Sequence, residues 1–195
     1  MKFKNYENIW VCSDPHYNHR NICRGVSTWE SGTRDYDDME SMNNKLVENI
    51  NKSINHNDIL FCLGDWSFGG RGSVSEFRSQ IDCKNIHLIL GNHDKHISMD
   101  GFRSVNNYLE IKIDGIKMVL SHYPIASWNG LKRGSIHLFG HCHLPTEHKL
   151  REGKSMDVGF DGNNMMPYSM EEIISIMNTQ PISSISVPSS IDHHQ

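Results

Sequence analysis

The chain has 195 residues, enough for one domain with its own hydrophobic core, so neither disulfides nor a structural metal are needed for stability. Its net charge is −4 and its basic residues are scattered, which argues against a protein that grips long nucleic acid through phosphate contacts. The five cysteines are odd in number and lack CxxC spacing. The sequence begins without an apolar signal segment and has no run long enough to span a bilayer. These features predict a cytoplasmic protein with reduced thiols and no membrane partner.

Five predicted strands are apolar runs that each end in a residue type able to bind a metal. Ligands in sheets of this kind gather at the carboxyl ends of the strands, so five such endings predict one shared site. The runs are residues 9–13, followed by Asp14 and His16; 59–63, followed by Gly64 and Asp65; 86–90, followed by Gly91, Asn92, His93 and Asp94; 116–121, followed by His122; and 136–139, followed by Gly140, His141 and His143.

Helix and turn signals lie between these strands. Apolar residues recur at three- and four-residue spacing from Met39 to Ile54, which predicts an amphipathic helix. The polar run 27–37 before it is interpreted as a loop. Ser73 with Glu76 forms a capping box and predicts a helix from there to about residue 81.

The C-terminal part of the chain carries three further signals. Asp114-Gly115 predicts a hairpin turn between strands 108–113 and 116–121, and residues 156–161 predict another strand. Ser169 with Glu172 predicts a last helix to about residue 178. From Thr179 the composition turns to Ser, Pro and Ile, so we expect a domain at 1–178 and a disordered tail at 179–195.

The proposed ligands supply two carboxylates, one amide and four imidazoles. A mononuclear site uses three or four ligands, so seven predict two ions that share a bridge. Asp65 is our choice of bridge, because each oxygen of a carboxylate can hold a different metal. Mixed oxygen and nitrogen ligation suits divalent transition metals; manganese is our first choice, with Fe, Zn, Ni, Co and Mg left open. The seven ligands are Asp14, His16, Asp65, Asn92, His122, His141 and His143.

The order of these motifs is that of a known family. Asp-x-His, Gly-Asp, Gly-Asn-His-Asp, His and Gly-His-x-His, between residues 9 and 143, resemble the calcineurin-like metallophosphoesterase superfamily, especially its small stand-alone members in bacteria and phages. The resemblance implies an α/β (α+β) fold, a four-layer sandwich of two mixed β-sheets flanked by helices. It also implies two metal sites. One would be held by Asp14, His16, Asp65 and His143, and the other by Asp65, Asn92, His122 and His141.

The resemblance also implies a mechanism. A hydroxide that bridges the two ions attacks phosphorus in line while both ions hold the non-bridging oxygens. His93 lies next to a ligand without being needed as one, so we expect it to be the acid that protonates the leaving oxygen. Asp94 is available to orient its ring.

The substrate is less constrained. The protein phosphatase branch follows its Gly-Asp with Asp-Arg-Gly, whereas here the nearest arginine after Asp65 is the shifted Arg71, which argues against phosphoserine or phosphothreonine proteins. Four residues are expected to bind substrate: Arg133, Trp128, His19 and Arg20. An arginine such as Arg133 is more often a solvated loop charge than a phosphate contact, and Trp128 is equally a candidate for local packing. Other aromatic residues that could stack a base are Trp66, Phe68 and Tyr123.

We therefore expect a dinuclear-metal phosphohydrolase. A phosphodiesterase acting on a small nucleotide or cyclic nucleotide is preferred to a phosphomonoesterase. The alternative from another class is a non-catalytic scaffold that binds a protein through a degenerate metal site, but neither a ligand nor His93 is missing. The expected partner is a small phosphoester, not long nucleic acid and not a membrane, and a homo-oligomer is left open.

Overall fold

The computed structural model describes residues 1–182, which form eleven β-strands and three α-helices arranged around two sheets. The helices are α1 (Met39–Ser53), α2 (Arg71–Gln80) and α3 (Met170–Thr179). The strands are β1 (Lys2–Phe3), β2 (Ile9–Cys12), β3 (Ile59–Cys62), β4 (Asn85–Ile89), β5 (Ser104–Asn106), β6 (Tyr108–Ile113), β7 (Ile116–Ser121), β8 (Ile136–Phe139), β9 (Leu150–Arg151), β10 (Ser155–Asp157) and β11 (Tyr168–Ser169).

One sheet of the described chain has five strands in the order β11-β2-β3-β4-β5. Strands β2 to β5 are parallel, and β11 pairs antiparallel with β2 at the edge. Cys12 is level with Cys62, and Cys62 with Leu88, so the carboxyl ends of three neighbouring strands lie side by side. The residues that follow these strands are therefore delivered to one edge of the sheet.

The other sheet of the described chain has six strands in the order β1-β6-β7-β8-β10-β9. Strands β7, β8 and β10 are parallel neighbours, so the residues after β7 and β8 leave from the same edge. Strands β6 and β7 form the predicted hairpin. Its turn residues, Asp114 and Gly115, have φ of 46° and 82°, the positive values that a two-residue turn of this kind requires.

The main core lies between the two sheets. Val11 and Phe61 from the five-stranded sheet and Leu120 and Leu138 from the six-stranded sheet are fully buried there, together with Ile173 of α3. Helices α1 and α2 cover the outer face of the five-stranded sheet. The outer face of the six-stranded sheet carries, among the described residues, a smaller cluster of Val119, Trp128 and Leu131. The prediction of two mixed sheets flanked by helices is confirmed.

One predicted capping box is wrong. Helix α2 begins at Arg71 with Gly70 as its N-cap, and no side chain caps it. The Ser73 hydroxyl accepts from Asn18 Nδ2 instead, and the Glu76 carboxylate accepts from the Tyr17 hydroxyl, so contacts with the loop after β2 occupy both side chains. At α3 the capping prediction is confirmed, because the Ser169 hydroxyl accepts the Glu172 N–H at 3.1 Å.

The strand predicted at 156–161 is shorter than expected. It ends at Asp157, whose carboxylate accepts the N–H of Gly159 at 2.7 Å and turns the chain locally. A 3-10 helix, Phe160–Asn163, follows. Helix α3 ends at Thr179, one residue beyond the prediction, and residues 183–195 of the predicted tail lie outside the described residues. No helix among residues 1–182 is long and apolar enough to cross a membrane.

Candidate metal centre

All seven predicted ligands meet at the carboxyl edge shared by the two sheets. Asp14 and His16 follow β2, Asp65 follows β3 and Asn92 follows β4, while His122 follows β7 and the pair His141 and His143 follows β8. Two groups of side chains have ligand atoms within 4.8 Å of one another: Asp14 with His16 and His143, and Asp14 with Asp65 and His122. The strand-end pattern of the sequence therefore corresponds to residues that the fold brings together at one edge.

The first set of donors surrounds His16. Its Nε2 lies 3.1 Å from Nε2 of His143, and Oδ1 of Asp14 lies 4.0 Å from the first nitrogen and 3.9 Å from the second. In the second set, Oδ1 of Asn92 lies 3.0 Å from both His122 Nε2 and His141 Nδ1.

Asp65 lies between the two sets. Its Oδ2 is 3.4 Å from His16 Nε2 and 3.6 Å from His122 Nε2. Its Oδ1 accepts the backbone N–H of His93 at 2.9 Å. The structure therefore presents a single oxygen to both sets, which differs from the prediction that each oxygen would face a different ion.

The donor set fits a divalent cation. Asp14 Oδ1 is buried and has no hydrogen-bond partner among the described residues, a costly state for a carboxylate unless a cation lies beside it. Burial raises the pKa of Asp14, as expected where a cation would be needed to favour the charged form. Burial lowers the pKa of His16 well below its ordinary value, so its ring is held in the neutral form that ligates metals.

The backbone around the ligands is unusual. The five ligands Asp14, His16, Asp65, His141 and His143 have positive φ between 49° and 68°. Non-glycine residues seldom adopt this conformation, and it clusters at functional sites where the surrounding structure enforces it. A Cβ on Gly140 would overlap the side chains of Ser13 and Asp14, so a glycine is required where β8 passes the site.

Two ligand histidines are oriented by groups behind them. Nδ1 of His122 lies 2.8 Å from the Leu63 carbonyl, so the ring donates there and leaves Nε2 for a metal. Nδ1 of His143 lies 2.8 Å from Asp161 Oδ2. Burial alone would lower the pKa of His143, but the Asp161 carboxylate raises it above its ordinary value.

Arg34 anchors this second arrangement, and the sequence analysis missed it. Its guanidinium donates to both carboxylate oxygens of Asp161 at 2.9 Å each, and to the carbonyls of Pro15 at 2.9 Å and Asp14 at 2.6 Å. Burial would raise the pKa of Asp161, yet Arg34 and His143 hold it well below its usual range. Arg34 lies in the polar run interpreted as a loop, where a single arginine gives no recognisable signal.

His16 is oriented by another histidine. Its Nδ1 lies 3.0 Å from Nδ1 of His19, so one of the two rings donates to the other. Burial, with nearby cationic groups, lowers the pKa of His19 to about 4, so its ring is neutral and its Nδ1 can accept from His16 when Nε2 of His16 is left for a metal. His19 stacks on Phe68 with ring centroids 4.0 Å apart and an angle of 5°. It was predicted to bind substrate, and its contacts make it a support for a metal ligand that also borders the cleft.

His93 and Asp94 differ in position and in contacts. The His93 side chain is 37% exposed at the mouth of the cleft, with Nε2 4.0 Å from Asp65 Oδ2, as expected for a group that meets substrate. The Asp94 carboxylate is buried and accepts the backbone N–H groups of Asp65, Trp66 and Gly91 at 2.7, 2.9 and 2.8 Å. The prediction that Asp94 orients the His93 ring is therefore wrong, because its oxygens hold the backbone of two ligand-bearing turns.

Three of the four predicted substrate-binding residues lie outside the lining of the cleft over the ligands. The cleft over the ligands has a volume of about 330 Å³, and neither Arg20, Trp128 nor Arg133 lines it. Trp128 is only 8% exposed and its indole N–H donates to the Ser135 carbonyl at 3.1 Å, so it packs against the six-stranded sheet instead of stacking a base.

The other aromatic residues divide between core and cleft. Trp66 is fully buried against Phe77 and Phe102, which excludes it from stacking. Tyr123 is 50% exposed, and its ring centroid lies 4.6 Å from that of His141. Trp29, which the sequence analysis did not single out, lines the cleft.

Comparison with known proteins agrees with the site. The family model for calcineurin-like phosphoesterases matches residues 7–175. An uncharacterized protein of Methanocaldococcus jannaschii is 28% identical over 177 residues, covering 87% of this chain and 90% of the relative. The crystal structure of a protein of unknown function from Aquifex aeolicus is 20% identical, has a TM-score of 0.65 and covers 86% of this chain and 98% of that one, so the two share the fold.

A more distant match is YfcE, a phosphoesterase from E. coli, with 16% identity, a TM-score of 0.45 and 77% coverage of each chain, too weak to bear on the assignment. The family match covers most of the chain, and the candidate ligands Asp14, His16, Asp65, His122 and His143 within it meet at one site. The chain belongs to the calcineurin-like phosphoesterase family and is a metal-dependent hydrolase of phosphoric ester bonds.

Proposed function

We propose that the protein is a cytoplasmic phosphodiesterase with two divalent ions, manganese being our first choice, acting on small nucleotide-like phosphoesters. The observation that carries the proposal is the position of Asp65 Oδ2, 3.4 Å from a nitrogen of one donor set and 3.6 Å from a nitrogen of the other. One ion would be held by Asp14, His16, Asp65 and His143, and the other by Asp65, Asn92, His122 and His141.

The ions, when bound, supply an activated water nucleophile and neutralise charge on the phosphate. His93 supplies the proton. Its ring lies at the cleft mouth, 5.4 Å between centroids from that of His16, and more than a third of it is open to solvent. A group in this position can protonate the oxygen that leaves phosphorus, a step that typically contributes about a hundredfold or more.

The charge of the cleft supports a diester substrate. No lysine or arginine is among the described residues that line it, so the bound metals would supply nearly all of the positive charge. A phosphodiester carries one negative charge, whereas a monoester carries close to two near neutral pH and gains more from additional cations. We therefore place phosphodiesters ahead of phosphomonoesters.

Aromatic side chains at the cleft support a nucleotide-like substrate. Trp29 lines the cleft and is about half exposed, and the exposed Tyr123 lies beside His141 on the side of the second donor set. Exposed aromatic rings next to a phosphate site are suited to stack on a base. The net charge of −4 supports small substrates over long nucleic acid.

The test is hydrolysis of bis-(p-nitrophenyl) phosphate and p-nitrophenyl phosphate after chelation, with Mn, Ni, Zn or Mg added back. Asp65→Asn should abolish hydrolysis and remove one of two manganese equivalents in a calorimetric titration. His93→Ala should keep both equivalents and lower kcat by about a hundredfold or more on a diester with a poor leaving group, such as methyl phenyl phosphate, and by much less on bis-(p-nitrophenyl) phosphate, whose p-nitrophenolate leaves without a proton. His56→Ala, which replaces an exposed histidine on another part of the surface, is the matched control and should leave both unchanged.

Several results would contradict the proposal. Faster cleavage of the monoester than of the diester would replace the phosphodiesterase by a phosphomonoesterase. Binding of a single manganese ion by the wild-type protein would refute the dinuclear site.

A further inference from the structure

A second cleft adjoins the metal centre, with a volume of about 420 Å³. Its lining includes Phe68, Val74, His93 and Lys95, and His93 also lines the cleft over the metal ligands. We propose that this second cleft is the subsite for the leaving group, and that it accepts a planar aromatic moiety. The inference rests on the proposed function, because it takes His93 as the acid.

The position of His93 between the two clefts indicates where the leaving group of the substrate extends. An acid that protonates the leaving oxygen must lie beside that oxygen, within hydrogen-bond reach. The group attached to the oxygen then extends past His93, away from the metal ligands. The second cleft is the space on that side, since His93 is the residue that borders both volumes.

Phe68 supplies an aromatic surface there. One face of its ring is stacked on His19, which holds the ring in place, and its centroid lies 4.9 Å from that of His93. Phe68 is half-buried and lines the second cleft but not the first. With Val74 it makes the wall apolar, so a planar aromatic group would bury area and stack on a ring that is already ordered.

The remaining lining is consistent with an organic group in this space. Asp94 borders the cleft, but its carboxylate is occupied by three backbone N–H groups. Gly69 and Gly70 have φ of 106° and 87°, and a Cβ on Gly70 would meet no atom within 4 Å. Gly69 and Gly70 leave their part of the lining free of side chains. Lys95 places a positive charge at the exposed rim of the cleft.

The test compares two non-hydrolysable probes, phenylphosphonate and methylphosphonate, by calorimetric titration of the manganese-loaded full chain. Both offer the same phosphonate to the metals, so the ratio of their dissociation constants measures the contribution of the phenyl group, and the Phe68 variants assign that contribution to the second cleft. The wild-type protein should bind phenylphosphonate about five to ten times more tightly. Phe68→Leu should reduce the preference to within about twofold, and Phe68→Tyr, which keeps the ring, should retain it.

Because Phe68 stacks on His19, its replacement could alter probe binding through His19, so a second variant changes the cleft at another residue. Val74→Phe narrows the second cleft from helix α2 and should also abolish the preference, with methylphosphonate binding unchanged. Equal binding of the two probes by the wild-type protein, or a preference that survives in Val74→Phe, would overturn the subsite and leave the phosphohydrolase proposal intact. Failure of the wild-type protein to bind either probe would overturn the subsite, whereas the phosphohydrolase proposal is decided separately by hydrolysis of bis-(p-nitrophenyl) phosphate.

Discussion

The buried Arg34 offers the sharpest test of how the metal centre is held. Its side chain is 4% exposed and donates four hydrogen bonds to oxygen atoms, two to Asp161 and one each to the carbonyls of Asp14 and Pro15. Arg34→Met removes all four and leaves the Asp161 carboxylate facing an apolar side chain. Breaking a buried ion pair in this way costs about 3–5 kcal/mol.

That cost can be converted into observable quantities. For a chain of this size each kcal/mol lowers the melting temperature by about 2–4 °C, so Arg34→Met should melt about 6–20 °C below the wild-type protein. His143 also loses its fixed orientation, because Asp161 is no longer held. Loss of support behind a ligand histidine lowers metal affinity by about 10- to 100-fold.

The assay is thermal unfolding of the chelated protein followed by calorimetric titration with manganese. Arg24→Met is the matched control, because Arg24 pairs with Asp35 at 3.0 Å on the same stretch of chain but the two side chains are 64% and 84% exposed. Such exposed pairs contribute little, and the control should melt within about 2 °C of the wild-type protein. Equal melting temperatures and manganese affinities for the two variants would refute the anchoring described for Arg34.

Four further predictions test other parts of the site and the fold. Asp94→Asn should lower the free energy of unfolding by about 2–4 kcal/mol in urea titrations, because one amide oxygen cannot accept three N–H groups. Wild-type stability combined with a changed pH–rate profile would instead support the first prediction, that Asp94 orients the His93 ring. His19→Phe keeps the aromatic stack but should weaken manganese binding about 10- to 100-fold by calorimetry, and unchanged affinity would show that His16 needs no support. Gly140→Ala should lose manganese binding in equilibrium dialysis, because the added Cβ would overlap the Asp14 side chain. Two bound ions in this variant would contradict the prediction. Hydrogen bonds from Lys117 and Tyr108 lower the pKa of Glu110 to about 2 from its ordinary 4.5, so the stability that the charged Glu110 contributes is present above pH 4.5 and lost as the pH falls towards 2. The urea midpoints of wild type and Glu110→Gln should therefore differ more at pH 7 than at pH 3. Equal differences at the two pH values would contradict these hydrogen bonds.

The sequence by itself determined the longer strands of the two sheets, β2 to β4 and β6 to β8, and the candidate ligands that follow them. A buried parallel strand is an unbroken apolar run, and the residue after it must leave the sheet at the carboxyl edge, so the position of Asp65 or His122 in the chain already indicates its place in the fold. The same reasoning worked for the β6–β7 hairpin, because Asp114-Gly115 specifies its turn locally. The candidate ligands could be named from the sequence because each lies within a few residues of a strand end.

The tertiary structure alone decided which polar groups support the ligands and which aromatic residues reach the cleft. Arg34 and Asp161 are 127 residues apart along the chain, and no local pattern relates them. Asp94 follows His93 directly, yet its carboxylate bonds the backbone of a turn 28 and 29 residues earlier. Trp128 was predicted to bind substrate and is buried, while Trp29 was overlooked and lines the cleft, because the direction of a loop side chain depends on packing against distant elements. Local periodicity carries no information about such long-range contacts.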